Sequence, residues 1–332
     1  VTMAAPLRIE LFFKTVDELR LRVRELRAEN INAYNLVNKH KDDAMLEWVD
    51  AIIAENPRAD ICAHFSLKNN AVGIRQGGAD AMAQRFARFA DDLAERSAER
   101  VETLLVTGCN SRAPLDSLSC LQRWATKQAA SALHRRCRTP VGVAFNPYLP
   151  PDGEQEKERE RLLQKLESCA VSSVWLQFGT DLQALESACS WLLSLGKKRP
   201  GRIVGSLFLP TRQLIAQQRY RPWNGVFLSE AYLSGPETAA NITVELLGIY
   251  QRFEIEVLVE APGVRSRGDL ELVRTLVGRA ASLPAALSGK APASPTMEAE
   301  VMPREPEETP PDDGVSKRPA AKRWRKVGTP AA

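Results

Sequence analysis

Short apolar runs recur along the first 265 residues, separated by longer stretches in which apolar positions return at helical spacing. The runs are LRIELFF (7–13), INAYNLV (31–37), DICAHFSL (60–67), VETLLVTG (101–108), VGVAFNP (141–147), SSVWLQF (172–178), RIVGSLFL (202–209) and EIEVLVEAPG (254–263). Their length and content of β-branched and aromatic residues read as buried strands. Between them, TVDELRLRVRELRAEN places Val16, Leu19, Leu21, Val23 and Leu26 at helical spacing, with Thr15 and Glu18 spaced as a capping box. DAMLEWVDAIIAEN, GADAMAQRFARFADDLAERS, LDSLSCLQRWATKQAASALH, EKERERLLQKLESC, DLQALESACSWLLSLG, ETAANITVELLGIYQRF and RGDLELVRTLVGRAA follow the same rule. Eight strands, each followed by a helix, predict a closed parallel (β/α)8 TIM barrel over residues 1–282. The rival, a doubly wound open sheet, usually holds fewer strands.

From residue 283 the pattern stops. Residues 283–332 are rich in Pro, Ala, Ser and Glu with almost no large apolar side chains, a composition expected to stay disordered. The charge divides further along, near residue 315. The chain carries 45 basic and 41 acidic residues; six of the basic ones (Lys317, Arg318, Lys322, Arg323, Arg325, Lys326) lie in the tail's last segment, leaving 39 against 41 in the rest. The expected barrel is therefore no general polyanion-binding surface, and residues 317–326 suggest a nuclear-import receptor as partner. No run of about 18 apolar residues and no secretory leader is read, so a cytoplasmic protein is expected, with the nucleus as the alternative that the basic cluster opens. Cys62, Cys109, Cys120, Cys137, Cys169 and Cys189 show no metal-like spacing and are read as reduced small core residues. With three histidines and no H-E-x-x-H run, no metal site is expected.

In a barrel, the polar residues at the carboxyl ends of the strands are the candidates for chemistry. They are Glu10, then His64, Ser66 and Lys68, then Thr107, Gly108 and Asn110, then Asn146, Gln177 and Glu260. Each also has a plain structural explanation: Glu10 pairs with Lys68, His64 is a satisfied core imidazole. Gln177, set among Val174, Trp175, Leu176 and Phe178, needs hydrogen-bond partners from a strand end or from a ligand.

RIELFF, DICAHFSL, VGVAFNPYLP with ERERLLQKL, and VSSVWLQF stand in an order that resembles the methylenetetrahydrofolate reductase family of flavin-dependent barrels. The resemblance implies FAD as cofactor, NAD(P)H as hydride donor and a reduced folate as substrate. It casts Glu10 as the catalytic acid, with Gln177 and Phe178 at the folate. His64, Thr107, Gly108, Asn110, Asn146 and Lys165 would line the flavin. The alternative is a catalytically inactive barrel of that descent, binding a folate or another ligand in a regulatory or scaffolding role; an unrelated barrel enzyme is the third.

Overall fold

In the computed structural model, the eight strands close into a barrel with every neighbouring pair parallel, β1 meeting β8. Residues 7–71, 78–97, 100–107, 117–130, 139–168, 170–260 and 263–283 are described. The strands are β1 (Leu7–Glu10), β2 (Ala33–Leu36), β3 (Asp60–Ser66), β4 (Val101–Val106), β5 (Val141–Phe145), β6 (Val171–Leu176), β7 (Arg202–Leu207) and β8 (Glu256–Val259). All eight expected strands are present, several shorter than the apolar runs, because the run continues into the loop that leaves the strand.

The expected helices are α1 (Val16–Ala28), α2 (Met45–Glu55), α4 (Gly78–Ser97), α5 (Ser117–Ala130), α6 (Glu154–Glu167), α7 (Leu182–Ser194), α10 (Pro236–Arg252) and α11 (Arg267–Ala281). Three were not foreseen: α3 (Leu67–Asn70), α8 (Arg212–Tyr220) and α9 (Glu230–Ser234). Helix α1 shows how local sequence and packing share the work. Thr15 Oγ1 accepts the Glu18 N–H at 3.2 Å, but Glu18 accepts from the Lys14 N–H at 2.7 Å, so only one half of the expected capping box forms. Leu19, Val23 and Leu26 are buried against the barrel, whereas Leu21 points to solvent, 52% exposed.

Strand alternation divides the core in two. Outward residues such as Ile9, Ile61, Leu105, Val143, Val174 and Val257 pack under the helices. Cys62, Leu104, Trp175, Val204 and Leu258 form a separate apolar layer in the barrel's middle. Trp175 fills it only because β5 offers Gly142: a Cβ there would stand 2.4 Å from the indole Nε1. Two residues toward the amino ends, the inward positions are Asp60, Glu102, Ser173, Arg202 and Glu256. With Arg8 they form an ion network. Arg8 Nε donates to Glu256 at 2.8 Å and Nη2 lies 2.7 Å from Asp60, while Arg202 contacts Asp60, Glu102 and Glu256. Both guanidiniums lie over Trp175, at 5.5 and 5.6 Å from the ring centroid.

The chain divides into two units, residues 1–291 and 292–332. The second unit, with the expected disordered tail beyond Leu283 and the basic segment 317–326, lies outside the described residues. Among the described residues no helix is long and apolar enough to cross a membrane. Cys62, Cys120 and Cys189 are buried and held in no disulfide; Cys109, Cys137 and Cys169 lie outside the described residues.

Candidate functional site

Two residues above the apolar layer, toward the carboxyl ends, the inward positions are His64 from β3, Ser206 from β7, and Gln177 and Glu260 just past β6 and β8. Glu10 ends β1 and aligns with Asn35 of β2. The barrel thus carries polar residues above and below a dry middle. The upper set stands where barrel enzymes hold their reacting groups.

Asn35 Nδ2 donates to His64 Nε2 at 3.1 Å, which makes that nitrogen an acceptor and the imidazole neutral. Burial, reinforced by the Lys39 charge, pushes the His64 pKa down to about 3, so the ring stays neutral at physiological pH. Asn35 is fully buried, and its Oδ1 has no hydrogen-bond partner among the described residues. An unpaired buried acceptor costs roughly 1–3 kcal/mol, so a donor entering this layer would be welcome there.

Two carboxylates share one lysine. Glu10, 8% exposed, lies 3.7 Å from Lys39 Nζ, and that ammonium also sits over Phe12 at 5.3 Å. Desolvation raises the Glu260 carboxyl to about pH 7, against the lowering effects of a Ser206 hydrogen bond and the Lys39 charge. Glu10 pairs with Lys39 instead of the expected Lys68, whose side chain is exposed. Sequence reasoning missed Asn35, Lys39 and Ser206. The inward alternation of β2 and β7 could have found Asn35 and Ser206; Lys39 comes from a loop and carries no such signal.

Gln177 answers its own question in part. Its Oε1 accepts the Phe178 N–H at 2.9 Å, so the strand-end backbone supplies one partner. Phe178 does not share this inward layer. Alternation turns it outward, fully buried, 4.5 Å from the Phe208 ring and 6.0 Å from Tyr232. The residues expected at a flavin do not converge. Asn146 donates to the Gly225 carbonyl at 2.9 Å and accepts from the Tyr148 N–H at 3.1 Å, both within the loops. Lys165 is buried in the last turn of α6, just before β6 begins, so it belongs to the opposite end of the barrel. Thr107 is exposed, and Gly108 and Asn110 lie outside the described residues. The described residues hold no cluster of His, Cys, Asp and Glu suited to a metal.

No family model matches the chain, and no curated protein matches it in sequence. Solved structures match by shape. A GH5-4 broad specificity endoglucanase from an uncultured bacterium is 7% identical, with TM-score 0.49, covering 84% of this chain and 94% of its own. A glycoside hydrolase family 5 enzyme from Prevotella bryantii B14 is 11% identical, with TM-score 0.45, covering 84% and 95%. A homocysteine methyltransferase from Escherichia coli is 10% identical, with TM-score 0.42, covering 81% and 94%. At these values they carry no argument about activity. None of them is a flavin-dependent reductase. The resemblance to the methylenetetrahydrofolate reductase family is therefore withdrawn, and the FAD, NAD(P)H and folate expectations lose their basis with it. Its short motifs are what any barrel of this size offers: an apolar strand ending in a polar residue.

Proposed function

We propose that the carboxyl end of the barrel is an acid–base site for a small carbonyl compound bearing a neighbouring hydroxyl or amino group. The observation that carries this reading is Glu260, an inward carboxyl whose proton affinity is raised to about pH 7. A group poised there exchanges protons efficiently at neutral pH. Glu260 would take a proton from the carbon beside the carbonyl. The negative charge that develops on the carbonyl oxygen would be stabilised by Lys39, which acts on both carboxylates. Glu10 would hold the ammonium in place as a positioning residue, and Asn35 Oδ1 would accept from the substrate's hydroxyl or amino group.

A second reading, a barrel that binds such a ligand without turning it over, is favoured by the Lys39–Glu10 ion pair, which already neutralises the lysine. One experiment separates the two. The protein is incubated in D2O with α-hydroxy and α-amino carbonyl compounds, and deuterium incorporation at carbon is followed by proton NMR. The acid–base reading expects exchange in the wild type, slowed by on the order of 100-fold or more in Glu260→Gln. Equal rates in the two proteins for every compound would remove Glu260 from any proton transfer. Saturable binding without exchange would establish the second reading.

A further inference from the structure

We propose that the opposite, amino-terminal mouth of the barrel binds a small organic oxyanion through Arg58 and Arg100. A cavity of about 400 Å³ opens there, lined among others by Arg58, Asp60, Arg100, Glu102, Ser172 and Arg202. That volume is in the range of small-molecule sites.

The charges at its floor are already matched to one another. Glu102 accepts from the Ser172 and Ser173 hydroxyls and from Arg202. Asp60 is held by Arg8 and Arg202, and Glu256 by the same two guanidiniums. Arg58 and Arg100 stand outside this network. They arrive from the segments entering β3 and β4, adjacent strands, are exposed, and their guanidiniums have no hydrogen-bond or ion-pair partner among the described residues. Among the described residues, four guanidiniums (Arg8, Arg58, Arg100, Arg202) therefore meet three carboxylates (Asp60, Glu102, Glu256), leaving one positive charge uncompensated there. The network is complete without Arg58 and Arg100, so its stability gives them no role. A planar guanidinium fork matches a phosphate or carboxylate group in shape and charge, and two of them on neighbouring strands frame one such group.

The test uses the full chain and two probes, inorganic phosphate and citrate, in separate titrations at fixed ionic strength so that screening is constant. Calorimetry is expected to show saturable binding of at least one probe, weakened ten-fold or more in the Arg58→Ala/Arg100→Ala double variant. It should be unchanged in Arg267→Ala, an arginine with an 85% exposed side chain at the other end of the barrel. The stronger probe identifies the phosphate or the carboxylate as the recognised group. Titration of the wild-type arginine Nε resonances reads the contact with no substitution at all, so a poorly folded variant does not blunt the test. Absence of binding by both probes, or equal binding by wild type and double variant, overturns the proposal.

Discussion

At Glu260 the environment sets the direction of a pH dependence. Its folded carboxyl titrates near pH 7, above the ordinary value of 4.5, so between those values the folded state holds a proton that the unfolded chain has released. Stability from this group is therefore full in acid and falls as pH rises toward 7. His64 works the other way. Its ring is held neutral down to about pH 3, so the unfolded chain takes up the proton first and stability falls as pH drops below about 6.5. Glu260→Gln is expected to lose less stability than wild type between pH 5 and pH 8, by about 1–3 kcal/mol in chemical denaturation. An unchanged difference between the two proteins at both pH values would place the Glu260 carboxyl in ordinary solvent. These residues became legible only as pairs. His64 was visible in the sequence at a strand end, but its neutrality comes first from burial and then from the Lys39 charge, which no local pattern ties to it.

At the level of strands, the lower interior layer makes a sharper demand. Arg8 is fully buried between Glu256 and Asp60. Replacing one partner of a buried pair leaves the others uncompensated, at a cost of roughly 3–5 kcal/mol. Arg8→Met should lose about that much in denaturant unfolding. The double variant Arg8→Met/Glu256→Leu should recover part of it, because the stranded carboxylate is then gone as well. A double variant no more stable than the single would show that the layer acts through packing of Arg8 on Trp175 alone. The helices were easier to read than this layer, because each writes its buried face into a repeat along its own sequence. Even so, Leu21 fitted the repeat of α1 and is exposed, since the face that packs is narrower than the run of apolar residues.

For the whole molecule, packing among the described residues runs to the point where the apolar pattern ends. Leu283 still packs on the core, reaching Gly248 at the close of α11. A chain ending at residue 285 is expected to unfold cooperatively with a stability within about 0.5 kcal/mol of the full chain. Loss of the cooperative transition would assign the later residues to the fold. The sequence by itself determined the barrel. Eight alternations of strand and helix, with a capping signal at Thr15, leave little else that so many buried parallel strands can build. It also determined which polar residues end the strands, because period-two alternation is a local property. Only the tertiary structure decided what those residues do. Closure of β1 on β8 brings Glu10 and Glu260 under the influence of one lysine. It also joins Arg8, Asp60, Glu102, Arg202 and Glu256, which are far apart in the chain, into one network. A likeness carried by strand motifs could not see any of this, because charge and desolvation depend on neighbours in space rather than in sequence.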